Sequence, residues 1–208
     1  MYDELINKRE TEVDGVSNWM WTKIDNGSWD GPHQEWKELK EIFLKHCKSF
    51  ESVVCAGGNH GLYPRLLSNT FKHVYTFEPD SLNFHSLVNN CQKENIYKFN
   101  AALGSAHDMI GISTPHKENR GMTIVGGVGY VPVLMIDDFV FETLSLIQLD
   151  VEGFECHVLD GAESNIRKHK PLITAENGDT KYISEFLSNL GYELIGKTGA
   201  DSIYLNKN

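Results

Sequence analysis

Val53-Val54-Cys55-Ala56-Gly57-Gly58-Asn59-His60-Gly61, answered further on by Val74-Tyr75-Thr76-Phe77-Glu78, is the stretch whose reading decides the fold. A short apolar strand, a glycine-rich turn, a helix and a second apolar strand ending on an acid follow one another. A βαβ unit needs this order to hold a nucleoside at the open edge of a parallel sheet. Glycines let the turn backbone approach a ligand where a Cβ would block it. Glu78, at the tip of the second strand, can accept hydrogen bonds from both hydroxyls of a ribose. Read as Ala56-x-Gly58-x-x-Gly61 the turn suits a dinucleotide equally, and spacing alone does not separate the two kinds of cofactor.

Outward from this unit the alternation of strands and helices continues. Ile96 to Ala102 reads as a third strand. Gly104 to Gly129, rich in Gly, His, Ser, Pro and Asn, reads as strand fragments and a long loop whose length suggests a function. Tyr130 to Ile136 alternates as a strand, with Asp137-Asp138 placed to cap the next helical turn. Leu144 to Leu149 is an almost continuous apolar run ending on Asp150, the mark of a strand buried on both faces. Gly153 to Lys168 reads as a helix interrupted near Gly161, and Pro171 to Ala175 as a strand ending on Glu176-Asn177. Lys181 to Leu190 reads as a helix stopped by Gly191. Tyr192 to Gly196 and Ser202 to Leu205 flank a turn and form an antiparallel hairpin. On the N-terminal side, Trp36, Leu39, Ile42, Phe43 and Cys47 share one face of a helix that starts at Asp30. Residues 1–30 carry Trp19, Trp21 and Trp29 without clear periodicity and read as an appendage or lid over a substrate, ahead of an α/β domain spanning 31–208.

A chain of 208 residues forms one ordinary α/β domain with a short extension. With 19 basic against 29 acidic residues its formal net charge is -10, which argues against attraction to nucleic acid or to an anionic membrane. A small acceptor fits better. Cys47, Cys55, Cys91 and Cys156 form no C-x-x-C pair, so free thiols are expected. The N-terminus lacks an apolar signal core, and no apolar run approaches the roughly 20 residues of a membrane span. The expectation is a soluble protein of the reducing cytoplasm.

The glycine turn, Phe77-Glu78-Pro79-Asp80, Asn89-Asn90, Asn100-Ala101-Ala102-Leu103, Asp137-Asp138 and Gln148-Leu149-Asp150-Val151-Glu152-Gly153-Phe154-Glu155 together resemble the FkbM family of S-adenosylmethionine-dependent methyltransferases, from about Glu51 to Asn208. The resemblance implies a Rossmann-like class I methyltransferase fold: a seven-stranded, mostly parallel sheet with an antiparallel last strand and helices on both faces. It implies S-adenosyl-L-methionine as cofactor, with Gly57, Gly58, Asn59 and Gly61 around its methionine part, Glu78 at the ribose and Asn100-Ala101 at the adenine edge, and with Ala56, Pro79 and Asp150 as further cofactor-binding candidates. It also implies O-methylation, often of sugars or similar small hydroxylated acceptors. The chain departs from the family at Cys55, where an acid is usual, and at His60, where an aliphatic residue is usual.

Methyl transfer asks the protein to align nucleophile, methyl and sulfur and to remove a proton. Asp150 stands at the carboxyl end of a buried strand, with Glu152 and Glu155 at the start of a helix, and burial or mutual repulsion could raise one of these carboxyls. Asp150, Glu152, Glu155 and His60 are therefore the candidate catalytic groups, though an acid in a first helical turn also caps without catalysing. Asp150, Glu176 and Asn177 could converge as oxygen ligands for Mg²⁺. The nine histidines form no zinc motif; His107 and His116 on the long loop are further candidate bases. Two rival readings stand beside this one. An NAD-dependent oxidoreductase would use the same βαβ unit and Glu78, and a non-catalytic nucleoside-binding module would keep the fold alone.

Overall fold

The structure is a computed structural model that describes residues 6–9, 17–23, 30–115 and 120–208. At its centre lie β3 (Ser52–Ala56), β4 (His73–Phe77), β5 (Ile96–Phe99), β10 (Leu144–Leu149), β11 (Leu172–Glu176), β12 (Tyr192–Thr198) and β13 (Asp201–Asn206), in the spatial order β12-β13-β11-β10-β3-β4-β5. The pairs from β11 through to β5 are parallel, and β13 runs antiparallel to both of its neighbours. Strand order reverses at β3, between β4 and β10. Beyond the carboxyl ends of these strands lies the crevice where open α/β sheets take ligands.

β3 and β10 are buried along their whole length, as their unbroken apolar runs require. Their alternate residues feed two cores. On one face Val53, Cys55 and Leu146 pack against Trp36, Leu39 and Phe43 of α1 (Asp30–His46) and against Leu62, Leu66 and Leu67 of α2 (Leu62–Leu67), with Leu87 of α3 (Ser81–Asn90). On the other, Val54, Ile147 and Leu149 meet Val158 and Leu159 of α4 (Glu155–Asp160), Ile166 of α5 (Glu163–His169), and Ile183 and Leu187 of α6 (Lys181–Asn189). The two short helices α4 and α5 are the interrupted helix of the sequence, broken at Gly161-Ala162. Burying one such aliphatic side chain contributes about 1.5–3 kcal/mol, so these faces fix the sheet.

Two regions differ from the sequence reading. The expected third strand leaves the main sheet after Phe99, because Asn100 turns its side chain back to donate to the carbonyls of Glu78 (2.8 Å) and Pro79 (3.3 Å). Its remainder, β6 (Ala102–Leu103), joins β9 (Val131–Leu134), the expected strand at Tyr130 to Ile136, with β7 (Asp108–Ser113) and β8 (Ile124–Val128) in a second sheet ordered β6-β9-β7-β8, where strand fragments and a long loop were expected. That sheet has a small core of Ala102, Ile110 and Val133. The second difference is at the N-terminus. β1 (Ile6–Arg9) and β2 (Trp19–Thr22) pair antiparallel, and Trp19 and Trp21 lie in the same core cluster as Trp36. Asn90 of α3 grips this hairpin, accepting from Met20 N (2.8 Å) and donating to Met20 O (2.9 Å). Trp19 and Trp21 are thus core residues, not the cover that was expected; Trp29 lies outside the described residues.

All four cysteines are free thiols, and Cys55 donates to Gln148 Oε1 at 2.9 Å. Among the described residues, no helix is long and apolar enough to cross a membrane.

Candidate functional site

The turn after β3 is held by two amides, Gly57 N and Gly58 N, that both donate to Phe77 O of β4 (3.0 and 2.9 Å). This brings the chain so close to the end of β10 that a Cβ on Gly57, which has φ +86°, would stand 1.8 Å from Asp150 O. Gly57 therefore faces the crevice with bare backbone. Gly58 and Gly61 serve packing instead: a Cβ on Gly58 would lie 2.4 Å from Leu87 Cδ1 and Thr76 Oγ1, and one on Gly61 2.6 Å from Cys91 Sγ. Neither lines the cleft, which corrects their expected placement at the ligand.

Asn59, in the left-handed region at φ 45°, points its amide at Glu78 Oε2 (2.7 Å), while Asp80 N donates to Glu78 Oε1 (2.8 Å). Glu78 is 4% exposed, and burial pushes its carboxyl up to about 8, against the pull of those two amides. Asp80 caps α3 through Leu82 N and Asn83 N and pairs with Arg120. The resulting cleft is lined by Ala56, Gly57, Asn59, Phe77, Glu78 and Pro79, by Ala101 to Leu103, and at its far end by Asp150, Val151, Glu152 and Phe154. Asn83, Arg120, Thr123 and Val125 complete the wall. The sequence reading missed these four; its one signal was the length of the loop that turned out to carry Arg120, Thr123 and Val125. Ala101 lines the cleft, whereas the exposed Asn100 acts from behind, through the backbone of Glu78 and Pro79.

At the far end three carboxylates converge: Asp150, Glu152 and Glu176 each offer an oxygen within 4.8 Å of the others. Burial first, then the charges of Glu176 and Glu152, raise the Asp150 carboxyl well above the usual carboxylate range. Glu152, held at φ 54°, is lifted to about 7 by burial and then by Glu176 and Glu155. Asp201, opposite Glu176 across β11 and β13, is likewise raised to about 7 by burial and by Glu35 and Glu176.

Three expected members of this end are elsewhere. Asn177 is exposed and donates its amide to Ala200 O at 2.9 Å, so Glu152 takes its place beside Asp150 and Glu176. Glu155 is buried and folds back to accept from Val151 N (3.3 Å) and Gly153 N (3.2 Å); it staples the turn that presents Glu152. His60, 2% exposed, stacks on Trp21 with ring centroids 4.2 Å apart and accepts from Thr22 N at 3.4 Å. It anchors the N-terminal hairpin to the turn and does not line the cleft. His107 forms an exposed pair with Asp138 (2.9 Å), and His116 lies outside the described residues.

The sheet order, the antiparallel β13 and the cleft at the strand reversal define a class I methyltransferase fold. The Methyltransferase FkbM domain matches residues 56–194, and the chain belongs to the FkbM family of S-adenosylmethionine-dependent methyltransferases. Among solved structures it is similar to methyltransferase FkbM from Methylobacillus flagellatus, with 19% identity and a TM-score of 0.51 over 79% of this chain and 50% of that one. It is also similar to Trm5b from Pyrococcus abyssi (12% identity, TM-score 0.54, 96% and 55% covered) and to an rRNA methylase from Streptococcus thermophilus (14%, 0.49, 81% and 94%). At these identities the first two likenesses bear on the fold alone. The chain spans about half the length of the FkbM structure it matches. No curated protein matches the sequence.

Proposed function

We propose that this chain transfers the methyl group of S-adenosylmethionine to a hydroxyl of a small acceptor such as a saccharide. The observation that carries this reading is the pairing of a buried carboxylate, Glu78, with a Cβ-free turn at Gly57, on a cleft that runs on to Asp150. The residues fit the cofactor. Each oxygen of Glu78 accepts one backbone amide and keeps a lone pair for a ribose hydroxyl. Pro79 and Ala101 to Leu103 offer an apolar slot for adenine, and the bare backbone of Gly57 admits the methionine part beside Asp150.

When bound, S-adenosylmethionine supplies a methyl on a positively charged sulfur, a good leaving group. Asp150 or Glu152 would hold the acceptor hydroxyl in line with that methyl and take its proton as the methyl is transferred to oxygen, with S-adenosylhomocysteine as the leaving product. An acceptor end built of carboxylates disfavours a phosphate-bearing partner, as does the net charge of -10. This supports a small acceptor over RNA. Calorimetry tests the cofactor: S-adenosylhomocysteine should bind and NAD should not, and the reverse would restore the oxidoreductase reading. Labelled S-adenosylmethionine, offered with sugars, other small alcohols and RNA in separate reactions, then tests the acceptor; label in RNA alone would overturn the small-acceptor reading.

A further inference from the structure

The register of the sheet lines up Asp150, Glu176 and Asp201. Leu149 pairs with Ala175, so the next residues, Asp150 and Glu176, are neighbours at the strand ends, and Glu176 pairs directly with Asp201. In-register residues of adjacent strands share a face. The three carboxylates therefore form one row, with Glu152 closing on it from the turn after β10. Glu35 of α1 lies over the other end of the row, its own carboxylate accepting from Tyr63 Oη at 3.1 Å.

Among the described residues nothing basic is paired with these charges: no Lys, Arg or His forms an ion pair with Asp150, Glu152, Glu176 or Asp201. Asp201 is 6% exposed, and its Oδ1 has no hydrogen-bond partner. A buried carboxylate oxygen left unpaired beside other carboxylates is costly unless a proton neutralises it or a cation completes it. The spacing fits an ion of definite size. Oxygens within 4.8 Å of one another have the span of two ligands lying across an ion held at about 2.4 Å.

We infer that Asp150, Glu152 and Glu176, backed by the unpartnered carboxylate of Asp201, bind one divalent cation of the hard, oxygen-preferring class, such as Ca²⁺, Mn²⁺ or Mg²⁺. The ion lies at the acceptor end of the cleft. Each carboxylate has two oxygens, so Asp150 can hold the ion with one and keep the other for the acceptor.

The test uses the whole chain, stripped with chelator and titrated with Mn²⁺, free Mn²⁺ being followed by its electron paramagnetic resonance signal. No cofactor or acceptor is present, so failure of the methyl-transfer reading, seen as absent S-adenosylhomocysteine binding, is separate from failure here. One Mn²⁺ per chain should bind and be displaced by Ca²⁺. Glu176→Gln and Asp201→Asn should each weaken it by about tenfold or more, while Glu163→Gln, in an exposed pair with Arg167, should leave it unchanged. Melting curves of the metal-free variants establish that they are folded, and the metal should raise the wild-type transition whatever the variants do. Absence of stoichiometric Mn²⁺ on the wild type, or equal affinity in folded Glu176→Gln and Asp201→Asn, overturns the inference.

Discussion

Glu78→Gln separates what the fold asks of this side chain from what the proposed cofactor asks. In the free protein, burial raises the carboxyl from its ordinary 4.5 to about 8, outweighing the amides of Asp80 and Asn59. The sign of the linkage follows. Below pH 4.5 both folded and unfolded chains hold the proton and the group costs nothing; as pH rises toward 8 the unfolded chain releases it and the folded chain does not, so stability falls. Taken to pH 7 this amounts to about 3 kcal/mol. Glutamine has the same shape and no charge, so the pH-dependent cost vanishes. In exchange either Asn59 N or Asp80 N now faces an NH₂ group and loses its acceptor, for about 1–3 kcal/mol at every pH.

Between pH 4.5 and 7 the stability of the variant should therefore gain about 3 kcal/mol relative to wild type. Ligand binding should move the other way. Glutamine keeps one acceptor oxygen for the ribose and loses a charge-assisted bond worth about 1.5–3 kcal/mol, which weakens S-adenosylhomocysteine by about 10- to 150-fold. Urea unfolding across this pH range measures the first effect, and calorimetry above pH 8, where the Glu78 carboxyl is ionised, measures the second. Parallel stability curves for the two proteins would refute the burial argument, and an unchanged dissociation constant would refute the ribose role.

Three further outcomes follow from the same geometry. Gly57→Ala must place a Cβ 1.8 Å from Asp150 O at φ +86°, and should cost about 3 kcal/mol or more in thermal unfolding; Gly153→Ala, at φ +94° with nothing within 4 Å, should cost only the conformational penalty of about 1–2 kcal/mol. Equal costs would show that the contact with Asp150 is unimportant. Asp150→Asn keeps the side chain's shape but removes its charge, and should lower turnover by about 10²- to 10⁴-fold with S-adenosylhomocysteine affinity nearly unchanged, as radiolabel transfer and calorimetry would report. Asn90→Ala deletes the bonds to Met20 N, Met20 O and His60 O and should cost about 2–4 kcal/mol, with protease cleavage appearing first in the N-terminal hairpin; cleavage elsewhere would contradict its role as the clamp.

The central sheet was legible because its strands announce burial on both faces, as Val53 to Ala56 and Leu144 to Leu149 do, and because the closing hairpin carries its own turn. The second sheet was legible only in part, as a strand at Tyr130 to Ile136 and strand fragments before it. β7 and β8 bury little, Met109 and Ile124 are exposed, and glycines interrupt the alternation, so no period-2 pattern marked their extent or pairing. At the site the limit was direction. Glu152 and Glu155 are both acids at a helix start, and only the left-handed backbone at Glu152 sends one toward Glu176 while the other bonds back to Val151 N and Gly153 N.

The acid row shows why such a limit is physical. Asp150, Glu176 and Asp201 come from three strands, and Asp201 reads in sequence as part of a turn after Gly199. What makes it a neighbour of Glu176 is the antiparallel register of β11 on β13, and that register is set by the side chains it buries. Ile173 and Ala175 on β11, and Ile203 and Tyr204 on β13, are fully packed in the two cores. A slip of one residue would turn each into the opposite core, which other side chains already fill, and the packing lost would exceed the repulsion that two crowded carboxylates can exert, since such crowding is relieved by a proton or a cation. The apolar residues thus decide where the acids meet, and a site that needs several like charges together can be built only where hydrophobic register holds them there.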